Sequence, residues 1–139
     1  VLLTHYSPDN DYYLFKPRAL PEGMYTLKFL YSNNDTPMTV ARDIEVTAGA
    51  TATATIDSGI QLEGASGVQA WELVRAGSQE TVLRVQRRWD NDFPLWKGFP
   101  VPPGSYDLRV EIKGMTEPLP VAQGLEIKQG ETVVFATGL

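Results

Sequence analysis

Apolar and polar residues alternate through Met24–Tyr31, with Tyr25, Leu27, Phe29 and Tyr31 on one face and Thr26 and Lys28 on the other. A period of two predicts a strand with one buried side. Ser105–Lys113 has the same pattern in Tyr106, Leu108, Val110 and Ile112. The agreement extends well beyond these strands. Asp9–Thr51 aligns with Asp90–Thr132 without a gap at an offset of 81, and 15 of the 43 positions are identical. Among these are Asp9/Asp90, Asn10/Asn91, Asp11/Asp92, Pro21/Pro102, Gly23/Gly104, Tyr25/Tyr106, Val40/Val121 and Gly49/Gly130. The chain carries an internal duplication.

Turn signals divide the rest into short strands. Pro21-Glu22-Gly23 leads into the first strand, and an Asn- and Asp-rich turn at Ser32–Thr36 follows it. Pro37 begins a strand carrying Val40, Ile44 and Val46, whose counterpart runs over Pro118–Gly130. Thr51–Asp57 alternates Thr with small or apolar residues and corresponds to Thr132–Thr137, so both are expected to be strands. Val68–Arg75 and Thr81–Trp89 are two more expected strands. No stretch longer than about two turns has helical periodicity with caps.

These features predict an all-β protein of two tandem immunoglobulin/transthyretin-like antiparallel β-sandwich modules, over residues 1–63 and 64–139. Ser58–Ser66 is expected to serve as a short link, with Ile60 and Leu62 closing the first core. At the common offset of 81, Val1 matches Val82 and Leu2 matches Leu83, so the first module is expected to lack its opening strand. Such a gap exposes a strand edge, which invites pairing with an upstream segment or a neighbouring chain.

Composition narrows the function classes. At 42% hydrophobic and 21% charged residues the chain suits a globular protein, and no apolar run reaches the roughly 18 residues of a membrane span. A net charge of −5 argues against nonspecific binding to nucleic acid or anionic membranes. The absence of cysteine excludes disulfides, thiolate nucleophiles and Cys-ligated zinc while leaving the compartment open. The sequence starts without Met or a leader-like pattern, so a targeting signal is expected to lie outside it.

Candidate chemistry is sparse. His5 is the only histidine, and sequence spacing offers it no metal-binding or catalytic partners; it is read as a surface or boundary residue. No Ser sits in a Gly-x-Ser-x-Gly elbow, and the chain is expected to be non-catalytic. The repeated Asp9, Asp11 and Asp90, Asp92 present alternating oxygen donors of the kind calcium takes. The simpler reading is a tight turn stabilised by Asp and Asn bonding their own backbone. Rings matched by rings at the repeat offset, Phe15/Trp96, Tyr12/Phe93 and Tyr25/Tyr106, are expected to fill shared core positions, and Trp71 to pack among apolar neighbours. Trp89 follows Arg84, Arg87 and Arg88, a local basic and aromatic group suited to stacking on a sugar or contacting an acidic partner.

The stretches LPEGMYTLKF…IEVTAGATATATIDSGIQL and VPPGSYDLRVEIKG…LEIKQGETVVF resemble prealbumin-like modules of bacterial exported proteins, a group that includes carboxypeptidase regulatory-like and Cna-B-like domains. The section WELVRAGSQETVLRVQRRW…FPVPPGSYDLRVEIKG is similar to repeats downstream of von Willebrand factor A domains. The resemblance implies a non-catalytic repeated domain of a larger periplasmic, extracellular or cell-surface protein. The metal-binding loops of a von Willebrand A domain and the zinc ligands of a carboxypeptidase have no match. Cna-B-like modules can carry a Lys–Asn isopeptide bond, and the final strand Thr132–Thr137 has no Asn to form one. The function expected is that of a spacer and protein-binding scaffold, with a carbohydrate-binding module as the alternative.

Overall fold

A computed structural model describes residues 16–30, 37–64, 66–88 and 92–139. His5, Asp9, Asp11, Tyr12, Phe15, Trp89 and Asp90 lie outside the described residues, as do Val1–Tyr6. Among the described residues the protein is all-β apart from one helical turn. Its strands are β1 (Gly23–Phe29), β2 (Met38–Val46), β3 (Gly59–Glu63), β4 (Val68–Arg75), β5 (Thr81–Gln86), β6 (Phe99–Pro100), β7 (Gly104–Ile112), β8 (Leu119–Ile127) and β9 (Thr132–Ala136), with α1 (Phe93–Trp96) between β5 and β6. They form a two-stranded sheet β1-β2, a three-stranded sheet β6-β3-β9 and a four-stranded sheet β5-β4-β7-β8.

The two larger sheets bury one core, as in a β-sandwich. Trp71, Leu73, Leu83, Tyr106, Leu108 and Val110 of the four-stranded sheet pack with Ile60 and Leu62 of β3, and each is 0% exposed. Leu95 of α1, Val101 after β6 and Met38 of β2 join that cluster. In β7 the strict alternation of the sequence becomes an alternation of burial. β4 departs from it: both Ala70 and Trp71 are buried, and so are Leu73 and Val74. Register irregularities between Val68 and Ala70 against β7, and between Leu73 and Val74 against β5, shift the pleat by a residue.

The segment expected to be a link is instead a core strand. Gly59–Glu63 pairs in parallel with β9 and antiparallel with β6, so Ile60 and Leu62 enter the core that they share with β4, β5 and β7. Ser58 anchors its start: the buried hydroxyl donates to the Val101 carbonyl at 2.6 Å, and the Val101 N–H donates to the Ser58 carbonyl at 3.1 Å. Gly59 is required by close approach, since a Cβ there would lie 2.6 Å from the Phe99 carbonyl oxygen. Four residues between glycines give no local signal of this role. The partner strand that makes it one is far along the chain.

The two copies share one hairpin geometry. Gly23↔Val46, Tyr25↔Ile44, Leu27↔Ala41 and Phe29↔Met38 in β1-β2 have counterparts at the offset of 81 in Gly104↔Ile127, Tyr106↔Leu125, Leu108↔Ala122 and Val110↔Leu119 of β7-β8. The register irregularities fall at the same places. Tyr25 donates its hydroxyl to the Pro21 carbonyl at 2.7 Å, and Tyr106 does the same to Pro102 at 2.7 Å. The left-handed residue of the bulge is Asp43 (φ 55°) in one hairpin and Gly124 (φ 62°) in the other. Asp tolerates that conformation at a cost that Gly avoids. Asp43→Gly is therefore expected to raise stability by about 0.5–1 kcal/mol, read as a higher denaturant midpoint; a lower midpoint would show that the Asp43 side chain contributes more than its backbone strain costs.

Thr51–Asp57, expected to be a strand like Thr132–Thr137, is not one. It follows the same turn, with Ala50 N–H donating to the Thr47 carbonyl as Glu131 N–H does to Lys128. Gly49 (φ 71°) and Gly130 (φ 77°) are left-handed in both turns. Beyond the turn the copies diverge, because β9 has β3 beside it and Thr51–Asp57 enters no strand ladder.

Candidate functional site

The outward face of the four-stranded sheet carries a lattice of alternating charge. Antiparallel register sets Glu72 of β4 opposite Arg84 of β5 on one side and Arg109 of β7 on the other. Arg109 Nη2 lies 2.9 Å from Glu72 Oε1, and Thr81 donates its hydroxyl to Glu72 Oε2 at 3.3 Å. Arg84 grips Glu111 with both terminal nitrogens, Nη2 reaching Oε2 at 3.0 Å. This fork-to-fork geometry suits a guanidinium and a carboxylate. The Arg84 hydrogen bond holds the Glu111 carboxyl below its ordinary value of 4.5 against the opposing effect of burial. The same bond raises Arg84.

These groups are about one-third exposed, so screening by solvent limits the pair to about 0–1 kcal/mol. A folded-state pKa held below its unfolded value gives stability that is present above pH 4.5 and lost as pH falls through the folded value. Glu111→Gln is accordingly expected to be less stable than the parent by up to about 1 kcal/mol at pH 7, with the gap closing as pH falls below the ordinary carboxylate range. Urea titrations of both proteins across that range measure it. A gap that persists at pH 3 would assign the loss to packing rather than charge.

Of the basic and aromatic group read from the sequence, the three arginines are described. Arg84 is held by Glu111 within the lattice. Arg87 lies beyond the end of β5 with its Nε 2.9 Å from Asp92 Oδ1, an ion pair by distance. The Nε–H is not aimed along that line, and this buried nitrogen has no directed hydrogen bond. Arg88 is exposed, and Trp89 lies outside the described residues. Asp92, read as one of the calcium donors, thus faces a guanidinium; it precedes α1, where its backbone carbonyl accepts from Leu95 N–H at 2.9 Å. Its partners in that reading, Asp9, Asp11 and Asp90, are outside the described residues. Among the described residues no group of three or more His, Cys, Asp or Glu converges as a metal site.

Two tryptophans are placed. Trp71 is fully buried, donates Nε1–H to the Leu95 carbonyl at 2.9 Å and meets Phe99 edge-on at a centroid distance of 5.7 Å. It cannot offer a face to a sugar. Trp96 is half-buried against the core and sits over Gly64, where a Cβ would come within 2.8 Å of its ring.

A groove of about 510 Å³ opens where β2 residues Met38–Arg42 face Arg75, Glu80 and Val82 of the β4–β5 corner. Arg75 Nε lies 3.5 Å from Glu80 Oε2 at its rim. Neither this groove nor the charge lattice was visible in the sequence, because each joins residues that only register and sheet packing bring together.

No protein-family model matches the chain, and no curated protein and no solved structure matches it either.

Proposed function

We propose that this chain is a non-catalytic structural and interaction module of a larger bacterial protein that is exported or displayed at the cell surface. Two tandem β-sandwich repeats act in it as spacer and protein-binding scaffold. The observation that carries this reading is the shared hairpin, identical at the offset of 81 in register, bulge position and Tyr-to-Pro hydrogen bond. A repeated rigid unit with its own turn chemistry is how chains gain length and surface without a reacting centre. The charge lattice on the outward face supports it too, since it couples neighbouring strands and leaves loops and edges as the places for partners. The resemblance to prealbumin-like repeats supplies the cell-surface or periplasmic setting.

The test is replacement of this segment, within the polypeptide that bears it, by an unrelated tandem β-sandwich of equal length. The scaffold reading expects reach and export to survive and partner binding to be lost. Retained partner binding, or loss of a chemical activity on replacement, overturns it. A glycan screen addresses the carbohydrate-binding alternative, with Trp71 already committed to the core.

A further inference from the structure

The groove between β2 and the β4–β5 corner follows strand edges rather than a face. Successive residues of β2 line it, Pro37 through Arg42, and Glu80, Thr81 and Val82 line it opposite them. Side chains of a strand alternate between faces, so an unbroken run marks the line where the backbone itself is reached. Among the described residues β2 pairs with β1 alone and β5 with β4 alone, which leaves each with an unpaired edge. At the strand rise of about 3.3 Å per residue, Pro37–Arg42 extends roughly 16 Å, the span of about six extended residues.

The repeat shows that the β2 edge offers a donor to this groove. Thr39 stands where the second copy has Pro120, opposite Lys28 as Pro120 is opposite Arg109. Proline fits a ladder only where its nitrogen faces away from the paired strand. At the shared register the Thr39 N–H therefore turns away from β1, and Thr39 is one of the lining residues. Proline blunts this position in β8, and β2 keeps its donor there.

Charge sets what the groove takes. Met38 and Val82, 4% and 7% exposed, supply its apolar base, and the charged lining residues are Arg42, Arg75 and Glu80. Arg42 is exposed and makes no ion pair or side-chain hydrogen bond among the described residues. Arg75 meets Glu80 across 3.5 Å in an exposed pair, which contributes little. The lining thus carries a net positive charge in a chain whose net charge is −5.

We propose that this groove is the docking site for an extended acidic segment of a partner protein. The segment adds to the β2 edge, accepts the Thr39 N–H with a main-chain carbonyl and sets a carboxylate side chain against Arg42. An apolar side chain of the same segment covers Met38 and Val82. Main-chain pairing supplies affinity, and the guanidinium selects Asp or Glu. This deepens the scaffold reading by naming where a partner docks, and it rests on that reading.

A phage library of random octapeptides, selected on the whole chain, is the probe. It is expected to enrich sequences with Asp or Glu among apolar residues. A fluorescein-labelled peptide of the most enriched sequence is expected to bind saturably and to slow amide exchange at Thr39 by about tenfold or more. Arg42→Glu, at an exposed position, is expected to weaken that peptide by about tenfold or more by turning attraction into repulsion. Thr39→Pro is expected to abolish binding with an unchanged melting temperature, since the same hairpin already holds Pro120 at that place in β8. Enrichment without acidic residues, no enrichment, or binding that survives either substitution overturns the proposal. Self-association of the chain that Arg42→Glu abolishes would seat a second copy in the groove and also overturn it. The segment-replacement test reads reach, export and activity of the intact polypeptide, so the two proposals fail separately.

Discussion

Trp71→Ala is expected to destabilise the protein by about 3–5 kcal/mol, the range for removing a large aromatic ring from a core that cannot collapse around the gap. Three separate losses combine at this position. The ring is 0% exposed at the centre of β4, with Val85 of β5 opposite it on one side and Val110 of β7 on the other. Its edge-on contact with Phe99 disappears. The Leu95 carbonyl, which accepts the Nε1–H at 2.9 Å, is left without that donor in a buried place. An unsatisfied buried group costs about 1–3 kcal/mol. Trp71→Phe separates the last term from the first, because it keeps an aromatic ring and removes the donor. Urea unfolding of the parent and both variants measures the difference. A loss below about 1 kcal/mol for the alanine variant would mean that the core repacks freely, and would displace Trp71 from its central role.

The second large effect concerns where the second repeat begins. A chain of residues 57–139 is expected to fold alone, while a chain of residues 64–139, cut where the sequence places the module boundary, is expected not to. The shorter chain lacks β3, the middle strand of the β6-β3-β9 sheet. It loses Ile60 and Leu62, both 0% exposed, each worth about 1.5–3 kcal/mol of burial. β9 loses its parallel partner and β6 its antiparallel one. The Ser58 hydroxyl also leaves the Val101 carbonyl. Together these approach the whole stability of a small domain, about 5–15 kcal/mol. Amide dispersion in a proton–nitrogen NMR spectrum distinguishes the outcomes. A dispersed spectrum from residues 64–139 would return Gly59–Glu63 to the first repeat as a linker.

Sequence alone determined the all-β class, the two hairpins and their relation. Period-two alternation in Met24–Tyr31 and Ser105–Lys113 is a local property, and so is the turn chemistry of Pro-x-Gly before each strand. Because the aligned stretch has no gap, the sequence also carried the shared register of β1-β2 and β7-β8. The tertiary structure decided everything that depends on what lies beside a strand. Gly59–Glu63 and Thr51–Thr55 are both short alternating segments near glycine, yet the first is a buried strand because β6 and β9 flank it, and the second is none because no strand among the described residues does. Charges followed the same rule. Arg84, Arg87 and Arg88 are neighbours along the chain, but pairing across strands assigns Arg84 to Glu111, while Arg87 meets Asp92 just before α1. Alternation specifies which face of a strand is apolar; it carries no information about the neighbour, because a ladder hydrogen bond is made by backbone groups that every residue shares.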